Sequence, residues 1–443
     1  MNTTRRAAHG EAALVKAMGV RALAATTFNI MIGGGIFLLP AAAAASVGPA
    51  APLVYIVCAV SMGLIVLCFA QAGSRVSLTG GPYAYVETAF GPFAGFISGV
   101  AVWLVATLAT AAVASGLAGS IGALWSPAAS PAVRAVLLAV LFAALGWVNV
   151  RGVREGSGLI ELVTVAKLLP LVLFVIVGAF FVRAEHLGWP EPPSTSSLGR
   201  AAVQLMFAFA GVESALLPSG EVRDPARTVP RALLIAMLTV TALYVCIQLV
   251  AQGTLGAALA TSTDAPLAAA AATFAGAIGA TVLLVGASIS MLGHVSGMTL
   301  ATPRALFALG RDGFLPARVA SVHRRYHTPH VAIAVQCVIA FALAASGSFG
   351  RLFVLATVSA LILYLLCCAA SWELRRRDVR TEGTPFRIPG GGLVPALAVL
   401  VILWLLSSAT LVELTAVGGV LAAASLVYVL TASRRRQLAA ERQ

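Results

Sequence analysis

Apolar residues gather into twelve runs, at 22–46, 50–72, 93–123, 132–150, 157–182, 199–219, 229–252, 267–301, 329–345, 349–372, 393–410 and 412–432. About 20 apolar residues in helical conformation cross a hydrocarbon core roughly 30 Å thick. Helices are the expected element, because within lipid each backbone N–H and C=O must find its partner inside the segment. Turn-forming residues separate the runs: Gly80-Gly81-Pro82, Ser126-Pro127, Trp189-Pro190 through Ser197, Pro225 to Pro230, and Gly390-Gly391-Gly392. The pattern predicts an all-α polytopic membrane protein with twelve transmembrane helices.

Charge placement sets the expected orientation. With the N-terminus on the cytoplasmic side, 24 of the 29 Lys and Arg residues fall in cytoplasmic segments and four in outside segments, Lys167 remaining inside a span. That is the positive-inside asymmetry, and it requires an even number of spans with both termini cytoplasmic. The division that follows is a cytoplasmic tail at 1–21, a core of ten helices at 22–372, a cytoplasmic loop at 373–392, helices eleven and twelve at 393–432, and a tail at 433–443. A signal peptide is the competing reading of the N-terminus, since Arg5-Arg6, an apolar stretch and Ala41–Ala45 imitate its three regions. Glycines interrupt that stretch, however, and its removal would spoil the charge alternation.

Composition agrees: 60% of residues are apolar and 10% charged, against roughly 25% charged in a soluble domain. The net charge of +13 is explained by topology and needs no nucleic acid. Only two of the 29 basic residues are lysines, an arginine bias that points to a GC-rich bacterial genome and hence to the bacterial plasma (inner) membrane. The six cysteines lie inside apolar runs without C-x-x-C spacing and read as small buried hydrophobes. Neither lysine follows a glycine, so no Walker A loop is present, and neither H-E-x-x-H nor G-x-S-x-G occurs. His323, His327 and His330 sit in a basic loop and read as solvated. The expectation is a non-enzyme with no cofactor and no metal.

Two spans contain interruptions. The first holds Ile32, Gly33, Gly34, Gly35, Ile36 and Phe37, and each glycine in a helix interior costs about 1 kcal/mol relative to Ala. Tight helix packing is one reading. An unwound segment offering N–H groups and a helix N-terminus to an anion is the other. The sixth holds Phe207, Ala208, Phe209, Ala210, Gly211, Val212, Glu213 and Ser214, with a carboxylate that belongs in a cavity rather than in lipid. Breaks at matching positions of two halves point to a transporter binding site. There, the N-terminal end of the second half of the first span would meet a carboxylate and the carbonyl end of the first half of the sixth an ammonium, which suits an amino acid. A leucine at Gly34 is expected to fill the carboxylate site. Lys167, the lone membrane-interior lysine, is a candidate proton carrier or fixed substitute for a bound cation; Glu161 lies about 120° away on the same helix and cannot pair with it.

Four stretches carry a resemblance: Ile32–Pro40 (IGGGIFLLP); Gly80–Tyr83 with Phe90-Gly91-Pro92; Phe207–Ser214 followed by Gly220-Glu221 and Asp224-Pro225 through Pro230-Arg231-Ala232; and Pro303-Arg304 through Arg311-Asp312-Gly313. In order and spacing the chain resembles the amino acid–polyamine–organocation (APC) superfamily. The resemblance implies a LeuT-like core of two inverted five-helix repeats, with helices 1 and 6 broken at mid-membrane and helices 11 and 12 outside it. It also implies that Gly33–Gly35 contact the substrate carboxylate and the backbone around Phe207–Gly211 its amino group. Phe207 stands where related antiporters have a gating tryptophan, Glu213 where they have a proton-linked glutamate, and Lys167 where sodium-coupled relatives bind a cation. Thr110, in place of a larger polar residue, together with His294 and Ser296, is a candidate for the side-chain pocket.

The expected function is secondary active amino-acid transport by alternating access, through proton-coupled uptake or exchange. A polyamine or amine antiporter is the alternative, and a channel or a non-transporting membrane receptor would be a different class. Expected partners are the small-molecule substrate (an amino acid or amine), protons and membrane lipids, the last through Arg375-Arg376-Arg377 and Arg434-Arg435-Arg436. Gly95 and Gly99 form a G-x-x-x-G suited to helix packing within or between chains.

Overall fold

The computed structural model describes residues 18–76, 81–152, 157–189, 192–216, 222–380 and 384–433, with the side chains of 157–164, 214 and 215 excepted. Glu161's side chain, Ser214's side chain, Gly80, Gly220-Glu221, Arg5-Arg6 and Arg434-Arg435-Arg436 lie outside the described residues. The α-helices in order are α1 (Val20–Met31), α2 (Gly35–Val47), α3 (Ala51–Arg75), α4 (Pro82–Phe90), α5 (Pro92–Leu124), α6 (Pro131–Arg151), α7 (Ser157–Gly178) and α8 (Thr195–Phe209). They continue with α9 (Val212–Ala215), α10 (Pro225–Leu255), α11 (Pro266–Ala301), α12 (Pro303–Arg311), α13 (His330–Ser346), α14 (Phe349–Arg376), α15 (Leu393–Ser407) and α16 (Leu411–Leu430). Among the described residues no strand occurs, only an isolated bridge between Met18 and Val222 that ties the start of α1 to the start of α10.

Seven helical runs are long and apolar enough to cross a membrane among the described residues: Gly35–Arg75, Pro92–Leu124, Pro131–Arg151, Pro225–Thr261, Pro266–Arg311, Phe349–Arg376 and Leu411–Leu430. Val165–Phe181, His330–Ser346 and Leu393–Ser407 are shorter apolar helices. Phe180, Leu238, Ile278 and Leu411 are strongly exposed, and apolar surface of this extent belongs in lipid. The protein is an integral membrane protein. The count differs from twelve because three expected spans are among these shorter helices, and because the first and sixth apolar runs are not continuous, what remains of the first being counted with α3 in Gly35–Arg75. One divides into α1 and α2 across Ile32–Gly34, the other into α8 and α9 across Ala210-Gly211. The run expected at 267–301 is also bent, at Gly276, whose φ of +59° suits glycine.

Packing places the two breaks together. α1 runs against α10, α2 against α8, and α3 against α10, while α5 is covered by α14 and α11. α11 also packs on α7, which brings Lys167 behind the first break. Tyr244 on α10 meets Tyr55 of α3 edge to face at 6.2 Å and Phe209 of α8 at 5.5 Å. Bidentate contacts of 2.8 Å from Arg200 on α8 to Glu413 on α16 join the last helix to the outer face of the bundle.

Candidate functional site

α1 ends at Met31, and Ile32 leaves the helix at φ −79°, ψ 75°. α2 starts again at Gly35 without a side-chain cap; Phe37 N–H bonds the Gly34 carbonyl at 3.2 Å, while the N–H groups of Gly35 and Ile36 have no intrahelical acceptor. α8 ends at Phe209; Ala210 is extended and Gly211 has φ +113° before α9 begins. A helix N-terminus from one break and a helix C-terminus from the other thus flank the same space.

Side chains from four other helices hold the breaks. The Lys167 ammonium, 6% exposed, donates to the carbonyls of Asn29 (2.6 Å) and Ile32 (2.8 Å). The Tyr244 hydroxyl lies 2.8 Å from the Met31 carbonyl and 3.2 Å from that of Ala208, so one group joins both breaks. Ser290 donates to the Gly33 carbonyl at 3.3 Å. At the second break the Glu213 carboxylate accepts the Gly211 N–H at 3.0 and 3.1 Å and the Tyr364 hydroxyl at 2.8 Å. These bonds use carbonyls and N–H groups that helix ends leave unpaired, which is how irregular backbone survives at membrane depth.

Between the breaks lies a cavity of about 40 Å³. Of the expected residues, Gly33, Gly34, Gly35, Phe207, Ala208, Ala210, Gly211, Glu213 and His294 line it, and Val102, Val105, Ala106, Ala109, Val113, Met298 and Ala356 complete an apolar wall. Phe207 closes one side against Phe349 and Phe353, with ring centroids 6.1 and 5.7 Å away. His294 faces the first break: its Nδ1 is 3.2 Å from where a Cβ on Gly33 would stand, and its Nε2 is buried without a hydrogen-bond partner.

The remaining candidates are elsewhere. Ile32 is buried, with its carbonyl on Lys167, and Phe209 turns to Tyr55 and Tyr244. Ser296 is half-buried and outside the lining. Thr110 is buried, and its hydroxyl donates to the Ala106 carbonyl at 2.6 Å. At 3.6 residues per turn it sits about 70° from the centre of the stripe through Val102, Ala106, Ala109 and Val113. Gly34 lines the cavity and is also closely approached by other helices. A Cβ there would stand 3.0 Å from Met291 and 3.1 Å from Val113, so its smallness serves helix approach as well. Tyr244, Tyr364 and Ser290 were not singled out from the sequence, where they read as single polar groups in apolar runs.

A family model described as amino acid permease matches residues 18–431. The chain belongs to the amino acid permease family. The branched-chain amino acid permease BcaP of Bacillus subtilis is 25% identical over 416 residues, which cover 90% of this chain and 89% of that permease. The serine/threonine exchanger SteT of the same organism is 26% identical over 421 residues, covering 91% and 93%. The large neutral amino acids transporter small subunit 2 of Rattus norvegicus is 28% identical over 343 residues, covering 74% and 64%.

Proposed function

We propose that this amino acid permease is a secondary active transporter of neutral amino acids that works by alternating access. The carrying observation is the pair of helix breaks on one cavity, with an uncapped N-terminus at Gly35 and a C-terminal end at Phe207–Ala210. The substrate carboxylate sits at Gly33–Gly35, where the helix dipole favours an anion. Its ammonium meets the carbonyl end of α8, and its side chain lies on the wall formed by Val102, Ala106 and Ala109. A neutral substrate is favoured because the wall beyond the two helix ends is apolar, and the Glu213 carboxylate is turned to the Gly211 N–H and the Tyr364 hydroxyl. The names of BcaP and SteT point the same way.

The cavity holds only a few water-sized volumes, so substrate entry requires the wall to open. Phe207, Phe349 and Phe353 form the closed side in this reading. Lys167 occupies the carbonyls of the first break as a tethered cation, which disfavours a sodium ion there and supports proton coupling or exchange. The chain crosses the membrane twelve times, with helices 1–10 as inverted five-helix repeats and both termini on the cytoplasmic side of the bacterial inner membrane.

Counterflow of radiolabelled amino acids into preloaded proteoliposomes tests this. Accumulation of branched-chain amino acids, serine or threonine is expected; inserted protein that moves none of the twenty would overturn the reading. Two substitutions separate the roles. Glu213→Gln is expected to keep substrate affinity but flatten the pH dependence of uptake, and unchanged kinetics at every pH would reduce Glu213 to a packing residue. Thr110→Ala is expected to leave affinity unchanged, so a clear rise in KM would return Thr110 to the pocket.

A further inference from the structure

Four residues apart on α11, Ser290 and His294 share one face of the helix, and that face runs along the first break. Ser290 donates to the Gly33 carbonyl at 3.3 Å. His294 Nδ1 lies 3.2 Å from where a Cβ on Gly33 would stand. One turn further on, Met298 lines the cavity together with His294. The imidazole therefore sits where the cavity meets the uncapped start of α2. Among the described residues that line the cavity, only Glu213 and His294 have polar side chains, and the Glu213 carboxylate is turned to Gly211 and Tyr364. His294 Nε2 is buried without a hydrogen-bond partner. A neutral imidazole carries its proton on one of its two nitrogens. On Nε2 that proton would be buried with no acceptor, a costly arrangement. The proton therefore belongs on Nδ1, the nitrogen beside Gly33.

We propose that His294 is a direct contact of the substrate carboxylate, donating from Nδ1 to one oxygen while the N–H groups at the start of α2 take the other. The inference rests on the reading of the first break as the carboxylate site. A helix end offers partial charge and donors that any small anion can use. A side-chain donor beside it fixes how the carboxylate is turned, through a hydrogen bond that the charge on the acceptor strengthens. His294 then reads the part common to all amino acids rather than the side chain, the role expected from the sequence. Gly33 gains a reason as well, since a side chain there would press on the imidazole.

Counterflow of radiolabelled L-amino acids into proteoliposomes tests the proposal on the full-length protein. Wild type is compared with His294→Leu, which removes the donor, and with His294→Asn, whose amide N–H can stand close to the place of Nδ1. For each amino acid that the wild type exchanges, His294→Leu is expected to raise KM by about tenfold or more, the loss of one hydrogen bond to a charged group. The maximal rate is expected to stay near that of wild type, as for a contact kept throughout the cycle. The rise is expected to be similar for substrates with different side chains, and His294→Asn to restore most of the affinity. An unchanged KM in His294→Leu would overturn the proposal. So would a rise confined to some side chains, which belongs to a side-chain pocket, or equal losses in the two variants, which belong to shape rather than to a donor. Should His294→Leu not insert, His294→Phe carries the same comparison. A wild type that exchanges no amino acid would overturn the transport reading itself.

Discussion

Lys167→Met lowers the initial rate of amino-acid uptake by about 10- to 150-fold while the protein still inserts and folds. The magnitude takes the net loss at the level of one hydrogen bond to a charged group, about 1.5–3 kcal/mol, at 1.36 kcal/mol per tenfold, because the freed carbonyls regain part of their bonding from other donors. Two such bonds, to the Asn29 and Ile32 carbonyls, fix the last turn of α1. Methionine keeps the length and apolar stem of the side chain but offers no proton, so those carbonyls lose their donor and the first break its geometry. Folding survives because Tyr244 and Ser290 still hold the Met31 and Gly33 carbonyls. The pH dependence of the residual uptake is expected to change as well. Uptake at the normal rate with a normal pH profile would remove Lys167 from the mechanism. The assay is initial-rate uptake into proteoliposomes containing equal amounts of inserted protein.

Gly211→Ala is the second large effect. Gly211 has φ +113°, a region that side chains rarely enter, and an added Cβ would stand 2.8 Å from Ile30 Cγ2. Strain of this kind costs about 1–3 kcal/mol, and relief would move α8 away from α1. Because Ile30 and Gly211 both line the cavity, the shift reaches the site, so Tm and transport are expected to fall together. Gly48→Ala is the comparison, since Gly48 also has positive φ, +56°, but no atom lies within 4 Å of its would-be Cβ. That variant is expected to lose stability with uptake retained. Equal uptake in the two variants would mean that the approach of Ile30 to Gly211 does not matter to transport.

Much of this arrangement is legible in the chain because it is local. Apolar runs report helices since lipid leaves the backbone few alternatives. Consecutive glycines at 33–35 and the lone Gly211 announce breaks because glycine destabilises a helix interior. The reason for each glycine is not local, and Gly34 proves to be fixed by Met291 and Val113 from helices far away in sequence. Tyr244 was equally hidden. In the stretch Ala242-Leu243-Tyr244-Val245 it reads as a packing aromatic, and its bond to Met31 spans 213 residues of sequence. Thr110 and Phe209 illustrate a third limit. Each lies one residue from a position that faces the cavity, Ala109 and Ala208 or Ala210, and one step along a helix turns a side chain by about 100°. Residue type alone could not choose between neighbours.

The central claim is that the two helix ends read a carboxylate and an ammonium together. Competition against counterflow of a radiolabelled neutral amino acid tests it most directly, using the amine that lacks the carboxylate and the acid that lacks the amino group. The account predicts that the intact amino acid competes and that both truncated analogues fail, since each leaves one helix end unpaired. Competition by the amine as effective as that of the amino acid would contradict the assignment of Gly33–Gly35 to the carboxylate.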